Sequence, residues 1–144
     1  MISLKTSFEC ETAHRLYDVN TYSEECRDNL HGHSYKYTVE VARKDGGLNE
    51  AGMVCDFKLL KKVLSEFEKK YDHSCILKAG DPLVEPIKTS CKKVHIVKGN
   101  PTAEWMVCTF VDEMNVLFDE HQLDIEVISL EIAETTNNVA IWRK

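Results

Sequence analysis

The sequence has few of the residues that interrupt helices and strands, and it holds no long apolar run. Only three prolines and six glycines occur among its 144 residues. No apolar segment approaches the ~20 residues that a membrane-spanning helix needs. The opening decapeptide, MISLKTSFEC, lacks an apolar core of signal-peptide length. We therefore expect no membrane partner and a cytoplasmic location.

Blocks of positive charge are also missing. The formal net charge is −6, and lysines and arginines do not cluster with aromatic residues. This charge distribution argues against nucleic acid as a partner. An anionic small molecule could bind only in a local pocket of positive charge.

Paired cysteines of the Cys-x-x-Cys type are absent. The six cysteines, at positions 10, 26, 55, 75, 91 and 108, are scattered, and we expect them to be reduced and mostly buried. Hydrophobic residues make up 43% of the chain and charged residues 29%. This composition and length predict one globular domain over residues 1–144.

Alternation of apolar and polar residues predicts strands, and apolar residues at helical spacing predict two helices. One helix should begin after Asp56 and the other at Asn100-Pro101, with Asp56 and Asn100 as N-caps. Strands are predicted at 1–14, 33–42, 125–134 and 139–142, and residues 74–100 are expected to be irregular apart from a short strand candidate at 94–97.

The predicted order is therefore β-β-α-α-β-β, which favours an α+β fold. We expect a four-stranded antiparallel sheet with both helices on one face. The two exposed edges of such a sheet need protection or pairing with another subunit. Oligomerisation through the sheet is the expected solution.

The segment CRDNLHGHSY (26–35) concentrates groups that bind metals. Residues i and i+2 of a strand share a face, so His31 and His33 should present two imidazoles side by side. Neutral imidazoles suit Zn²⁺, and a catalytic zinc usually has three protein ligands. His14, at the end of the first strand, is the best third ligand, whereas His95 and His121 fit less well. A His-x-His pair without metal is the alternative.

Four other residues carry chemistry but also have ordinary explanations. Cys26 lies in a predicted loop beside the histidines and could be a base or nucleophile, or a surface thiol. Asp72-His73 could relay protons, or His73 could simply stabilise a helix C-terminus. Glu134 could bind a ligand or be a solvated carboxylate at a strand end.

Read in order, these segments resemble the 6-pyruvoyltetrahydropterin synthase / 6-carboxytetrahydropterin synthase family. The resemblance covers nearly the whole chain. The matching segments are TAHRL (12–16), Cys26 with HGHSY (31–35), GMVCDFKLLK (52–61), DHSCIL (72–77), NPTAE (100–104) and ETTNNVAIW (134–142).

The resemblance implies the tunnelling fold, in which three units close a barrel and two trimers form a homohexamer with sites at subunit interfaces. It also implies 7,8-dihydroneopterin triphosphate as the substrate. The implied roles by residue are zinc ligands at His14, His31 and His33; catalysis by Cys26, Asp72 and His73; pterin anchoring by Glu134; and lining of the pterin pocket by Thr102 and Glu104.

The subclass is indicated by local features that point in two directions. Four residues separate Cys26 from His31, a spacing between those of the carboxy-forming and pyruvoyl-forming branches. The ending ETTNNVAIW resembles the pyruvoyl branch, and the long segment before NPTAE resembles the carboxy branch. We favour the carboxy-type reaction of the queuosine precursor pathway. Pyruvoyl-type synthesis and a non-catalytic zinc- or pterin-binding oligomer are the alternatives.

Overall fold

The structure is a computed structural model that describes residues 1–144. It contains six strands and four helices. In chain order these are β1 (Ser3–His14), α1 (Glu24–Asp28), β2 (His31–Arg43), α2 (Phe57–Tyr71), β3 (Ser74–Lys78), α3 (Val84–Ser90), β4 (Val94–Val97), α4 (Ala103–Glu120), β5 (Ile125–Ala133) and β6 (Val139–Arg143). None of the helices has the length and apolar character needed to cross a membrane.

All six strands belong to one sheet, in the order β4-β3-β1-β2-β5-β6. The pairs β1–β2, β2–β5 and β5–β6 are antiparallel, whereas β3 runs parallel to β1 and β4 parallel to β3. The β1–β2 pairing extends from Ser3 opposite Ala42 to His14 opposite His31. This long ladder fixes which residues of the two strands meet at its far end.

The α+β class is confirmed, but the prediction of a four-stranded antiparallel sheet is wrong: the sheet has six strands and is mixed, and two short helices accompany the two predicted long ones. Strand β3 was expected to be irregular, and four of its five residues are fully buried, so it shows no alternation. It joins β1 in parallel and brings β4 with it, which makes the sheet mixed. The short helices α1 and α3 contribute no buried residue, so no apolar periodicity marks them.

The two predicted long helices are present, with one boundary corrected. Asp56 caps α2 as predicted, since its carboxylate accepts the backbone N–H groups of Lys58 and Leu59 at 2.7 and 3.1 Å. Asn100 is not the N-cap of α4. That position belongs to Thr102, whose hydroxyl accepts the N–H of Trp105 at 3.1 Å.

Both long helices pack on one face of the sheet and enclose the core. Phe67 of α2 and Phe110 of α4 meet edge to face at 5.0 Å between ring centroids. Tyr37 of β2 packs against both rings, at 5.9 and 6.2 Å between centroids, and stacks on Phe8 of β1 at 5.0 Å. Burying each such ring contributes about 1.5–3 kcal/mol. The packed face is the one that carries the predicted metal-binding histidines, since His33 and Tyr37 have the same parity on β2.

Candidate metal and pterin site

Three histidines converge where the β1–β2 ladder ends. His14 is the last residue of β1, directly opposite His31, and His33 follows two residues later on the same face of β2. One nitrogen from each ring lies within 4.8 Å of the other two. The structure therefore brings together the three side chains that the sequence predicts as ligands.

Backbone carbonyls fix the orientation of two of these rings. His14 donates its Nδ1–H to the carbonyl of Pro101 at 2.7 Å, and His31 donates its Nδ1–H to the carbonyl of Asn29 at 2.9 Å. Because a carbonyl can only accept, Nδ1 of each neutral ring carries the proton and Nε2 carries the lone pair. Metal-binding histidines are typically held in this way.

The free nitrogens face each other. Nε2 of His14 and Nε2 of His31 are 3.1 Å apart, and Nε2 of His33 is buried without a hydrogen-bond partner. Lone pairs this close repel unless a proton or a cation lies between them. Three convergent, neutral imidazoles are the donor set that zinc prefers, so the residues fit this metal.

The environments of His14 and His33 favour their neutral forms. Burial lowers the pKa of His14 to about 4, against a weaker opposing effect of the Pro101 hydrogen bond, and the neighbouring His31 and His33 lower it further. Burial also lowers the pKa of His33, more than the nearby Glu134 raises it. Rings that are neutral at pH 7 can bind a cation without first releasing a proton.

A tyrosine below the histidines is a site residue that the sequence reasoning missed. The Tyr35 hydroxyl lies 3.1 Å from Nε2 and 3.2 Å from Nδ1 of His14. Burial and then the charge of Glu134 raise the pKa of Tyr35 above its ordinary range, so the hydroxyl keeps its proton. Strand periodicity could have found it, since His31, His33 and Tyr35 share one face.

Glu134 lies beside the histidines at the end of β5. Its Oε1 is 3.8 Å from Nε2 of His33, and its backbone N–H donates to the carbonyl of Asn138 at 3.0 Å. A surface pocket of about 390 Å³ is lined by both Glu134 and Glu104. Thr102 is not among the residues that line this pocket, and its hydroxyl caps α4.

Cys26 lies in helix α1, not in the loop that the sequence predicts. The side chain of Ser23 caps this helix, and the carbonyl of Cys26 accepts the backbone N–H of Leu16 at 3.0 Å, two residues after His14. The thiol is half-buried and is near enough to contribute to the raised pKa of Tyr35. The cysteine is therefore tied to the same end of β1 as the metal ligands.

Asp72 and His73 form a pair of their own. Asp72 accepts Nδ1–H of His73 at 2.7 Å through one carboxylate oxygen and the backbone N–H of Glu11 at 2.8 Å through the other. The Glu11 bond, with burial opposing it and His73 adding to it, lowers the pKa of Asp72. The His73 side chain is 77% exposed, and no hydrogen bond joins the pair to the three histidines.

Arg15 and Lys36, two basic residues that could meet an anionic part of a ligand, have different surroundings. The Arg15 guanidinium binds both carboxylate oxygens of the buried Asp81, through its Nε and one of its terminal nitrogens. Lys36 lines a pocket of about 500 Å³ that also includes Ser34 and Glu134. Lys36 differs in parity from His33 on β2 and so lies on the opposite face of the strand, although its pocket also includes Glu134.

Comparison with known proteins places the chain in a family. The family model described as 6-pyruvoyl tetrahydropterin synthase matches residues 2–144. A protein of Aquifex aeolicus named 6-carboxy-5,6,7,8-tetrahydropterin synthase is 28% identical, covering 98% of this chain and 97% of its own. A Rickettsia bellii protein of the same name is 31% identical, covering 95% of this chain and 96% of its own.

Solved structures share the fold. An uncharacterized protein from Wolinella succinogenes superposes with a TM-score of 0.78 at 20% identity, covering 99% of this chain and 98% of its own. The 6-pyruvoyl tetrahydropterin synthase of Caenorhabditis elegans gives a TM-score of 0.66 at 21% identity, covering 99% of this chain and 95% of its own. With the family model matched over residues 2–144, the chain belongs to the 6-pyruvoyl tetrahydropterin synthase family.

Proposed function

We propose that this protein is a zinc-dependent lyase that converts 7,8-dihydroneopterin triphosphate and water to 6-carboxy-5,6,7,8-tetrahydropterin, triphosphate and acetaldehyde. The curated relatives that match most of the chain carry the name of the enzyme that makes this product. The observation that carries the proposal is the position of Glu134, 3.8 Å from the nearest of three convergent imidazoles. A carboxylate beside a cation site suits a ligand with a donor edge and a hydroxylated side chain.

The pterin ring is held by Glu134 in this proposal. The ring presents a 2-amino group and an N3–H that resemble a guanidinium edge, and one carboxylate can accept both hydrogen bonds. The substrate side chain then points towards the histidines. Zinc, held by His14, His31 and His33, would act as a Lewis acid on the side-chain oxygens.

Proton transfer falls to Cys26 and His73. Asp72 holds Nδ1–H of His73, which leaves Nε2 of that ring as a base directed to solvent. We assign this pair to the site of a neighbouring chain, as the family resemblance implies; its exposure and its lack of a hydrogen bond to the three histidines of its own chain support the assignment. The active form is then an oligomer, a homohexamer in the family's arrangement, built from single-domain chains of residues 1–144 and located in the cytoplasm.

The identity of the reaction product distinguishes the carboxy-type reaction from its alternatives. Zinc-loaded protein should be incubated with 7,8-dihydroneopterin triphosphate and the products identified by mass spectrometry. We expect 6-carboxytetrahydropterin with stoichiometric acetaldehyde. 6-Pyruvoyltetrahydropterin without acetaldehyde would assign the pyruvoyl reaction. Bound but unconverted substrate would indicate a non-catalytic zinc- or pterin-binding oligomer.

A further inference from the structure

The turn at residues 99–102 binds His14, the last residue of β1, and the backbone a few residues beyond it. The side-chain oxygen of Asn100 accepts the backbone N–H of Tyr17 at 2.9 Å. The next residue, Pro101, accepts Nδ1–H of His14 through its carbonyl at 2.7 Å. One turn therefore binds both the backbone that follows His14 and the His14 ring itself.

The turn has a defined shape from its own contacts. The carbonyl of Asn100 accepts the N–H of Thr102 at 2.8 Å, and Thr102 caps α4. Gly99 packs under the indole of Trp105 so closely that a Cβ atom there would lie 2.3 Å from Nε1. These contacts fix the turn to α4 and leave the Asn100 amide as its side-chain link to the segment that follows β1.

We propose that Asn100 is a positioning residue that acts through Pro101 on His14. Proline has no N–H, so Pro101 cannot anchor itself to β1 by donating a hydrogen bond. The Asn100 bond to Tyr17 supplies that anchor and keeps the Pro101 carbonyl on Nδ1 of His14. His14 then stays in the tautomer whose Nε2 is free for a cation. This inference rests on the metal-binding part of the proposed function.

The experiment compares three variants with matched chemistry. Asn100→Leu removes the acceptor at similar volume, and Asn100→Asp restores an acceptor. Asn115→Leu is the control, because Asn115 accepts the backbone N–H of Val127 at 2.8 Å in the same kind of bond, away from the histidines. The tautomer of His14 is read from long-range ¹H–¹⁵N spectra of the metal-free protein. Zinc affinity is read by competition with a chromophoric chelator.

We expect metal-free wild type to carry the His14 proton on Nδ1. Asn100→Leu should lose this preference and bind zinc about 10–100-fold more weakly, the usual effect of removing a partner that orients a metal ligand. Asn100→Asp should keep both properties, and so should Asn115→Leu. If Asn100→Leu does not fold, Asn100→Ala removes the amide without added bulk and replaces it.

The proposal is overturned if wild-type His14 carries its proton on Nε2. It is also overturned if the Asn100 variant retains both tautomer and affinity, or if Asn115→Leu weakens zinc binding equally. If wild type carries the expected tautomer but binds no zinc, the proposed metal is refuted, and the tautomer alone then decides the positioning role: loss of the preference in Asn100→Leu supports it and retention overturns it.

Discussion

The two histidine-containing clusters of this protein differ in how much of a site one chain completes. His14, His31 and His33 lie on paired strands, are largely shielded from solvent, and have two of their three Nδ1 atoms bound by carbonyls of the same chain. By contrast, His73 is held only by its neighbour Asp72 and is 77% exposed. The first cluster can bind a cation with side chains of one chain. The second cluster exposes the imidazole of His73 to solvent, without a hydrogen bond to the three histidines of the first.

This difference indicates which part of the chemistry one chain can carry out alone and which part can involve a second chain. Binding a metal needs rings fixed to within a fraction of an ångström, and a β-ladder with carbonyl partners provides this within one chain. Proton transfer needs a base that meets the substrate, and a base exposed at the end of α2 can meet a substrate held by another chain. We infer that the active site is divided between two subunits along this line.

Removal of a metal ligand should have the largest effect. His31→Ala leaves two imidazoles, so we expect zinc content to fall from one per chain to near zero. Turnover should fall by about 10⁴-fold, since the Lewis acid contributes several kcal/mol. Metal content is measured by atomic emission. The control is His121→Ala, whose ring contacts Glu66 at 2.9 Å on the remote helical surface. Zinc at full occupancy in His31→Ala would remove this residue from the site.

Removal of the thiol should affect rate but not metal. Cys26→Ala is expected to keep stoichiometric zinc and the native oligomer and to lose turnover by about 10²–10⁴-fold, the usual contribution of a general acid or base. Glu24→Gln and Glu25→Gln, in the same helix, should be near wild type. Zinc loss in Cys26→Ala would make the cysteine a ligand. Collapse of turnover in either glutamine variant, with Cys26→Ala active, would transfer the role to that carboxylate.

Removal of the carboxylate should affect binding of the pterin. Glu134→Ala is expected to weaken pterin affinity by about 2–4 kcal/mol, because one partner of a charged contact is lost. Titration calorimetry with a non-reactive pterin measures the change. Glu126→Ala is the control, since that carboxylate lies on the same strand and pairs with Lys144 at 2.6 Å. Equal affinities of wild type and Glu134→Ala would exclude Glu134 as the anchor.

The ion pair next to His14 should affect stability alone. The Asp81 side chain is 0% exposed, and its pKa is lowered because the hydrogen bonds from Arg15 and Leu83 outweigh the effect of burial. Arg15→Leu leaves this carboxylate unpaired, so we expect unfolding free energy at pH 7 to fall by about 3–5 kcal/mol with zinc retained. Chemical denaturation measures the loss.

The sign of the pH dependence follows from the lowered pKa of Asp81. Its ion pair stabilises the fold above the ordinary aspartate pKa, and this stabilisation is lost as the pH falls through the lower folded value. The difference in unfolding free energy between wild type and Arg15→Leu should therefore decrease at acidic pH. Arg27→Leu is the matched control, because its pair with Asp28 uses the same two guanidinium nitrogens but lies at the surface, where solvent screens it, so its loss should be clearly the smaller. Equal losses of unfolding free energy in Arg15→Leu and Arg27→Leu would contradict the structural role of Asp81.

The sequence predicts the parts of this protein that local periodicity encodes. Alternation over β2 placed His31 and His33 on one face, and the Asp56 cap marked the start of α2. The cap of α1 was also readable, since Ser23 precedes two glutamates, although the segment was interpreted as a loop.

The remaining features depend on contacts distant in sequence. Strand β3 is buried on both faces, and its parallel pairing with β1 leaves no alternating pattern. The carbonyl that orients His14 belongs to Pro101, 87 residues away. In the sequence, Asp81 has the character of a turn residue. Its structural role depends on an ion pair with Arg15, which lies 66 residues earlier. These contacts exist only once the sheet and α4 have packed.

The most direct test of a divided active site is complementation between two inactive variants. His31→Ala lacks the metal half and His73→Ala lacks the base. Mixed oligomers, formed by co-expression of differently tagged chains, should regain about one quarter of wild-type activity, because intact halves meet at random across a symmetric interface. If each chain carried a complete site of its own, every site in the mixture would lack one half. Activity that stays at the level of the separate variants would contradict the account.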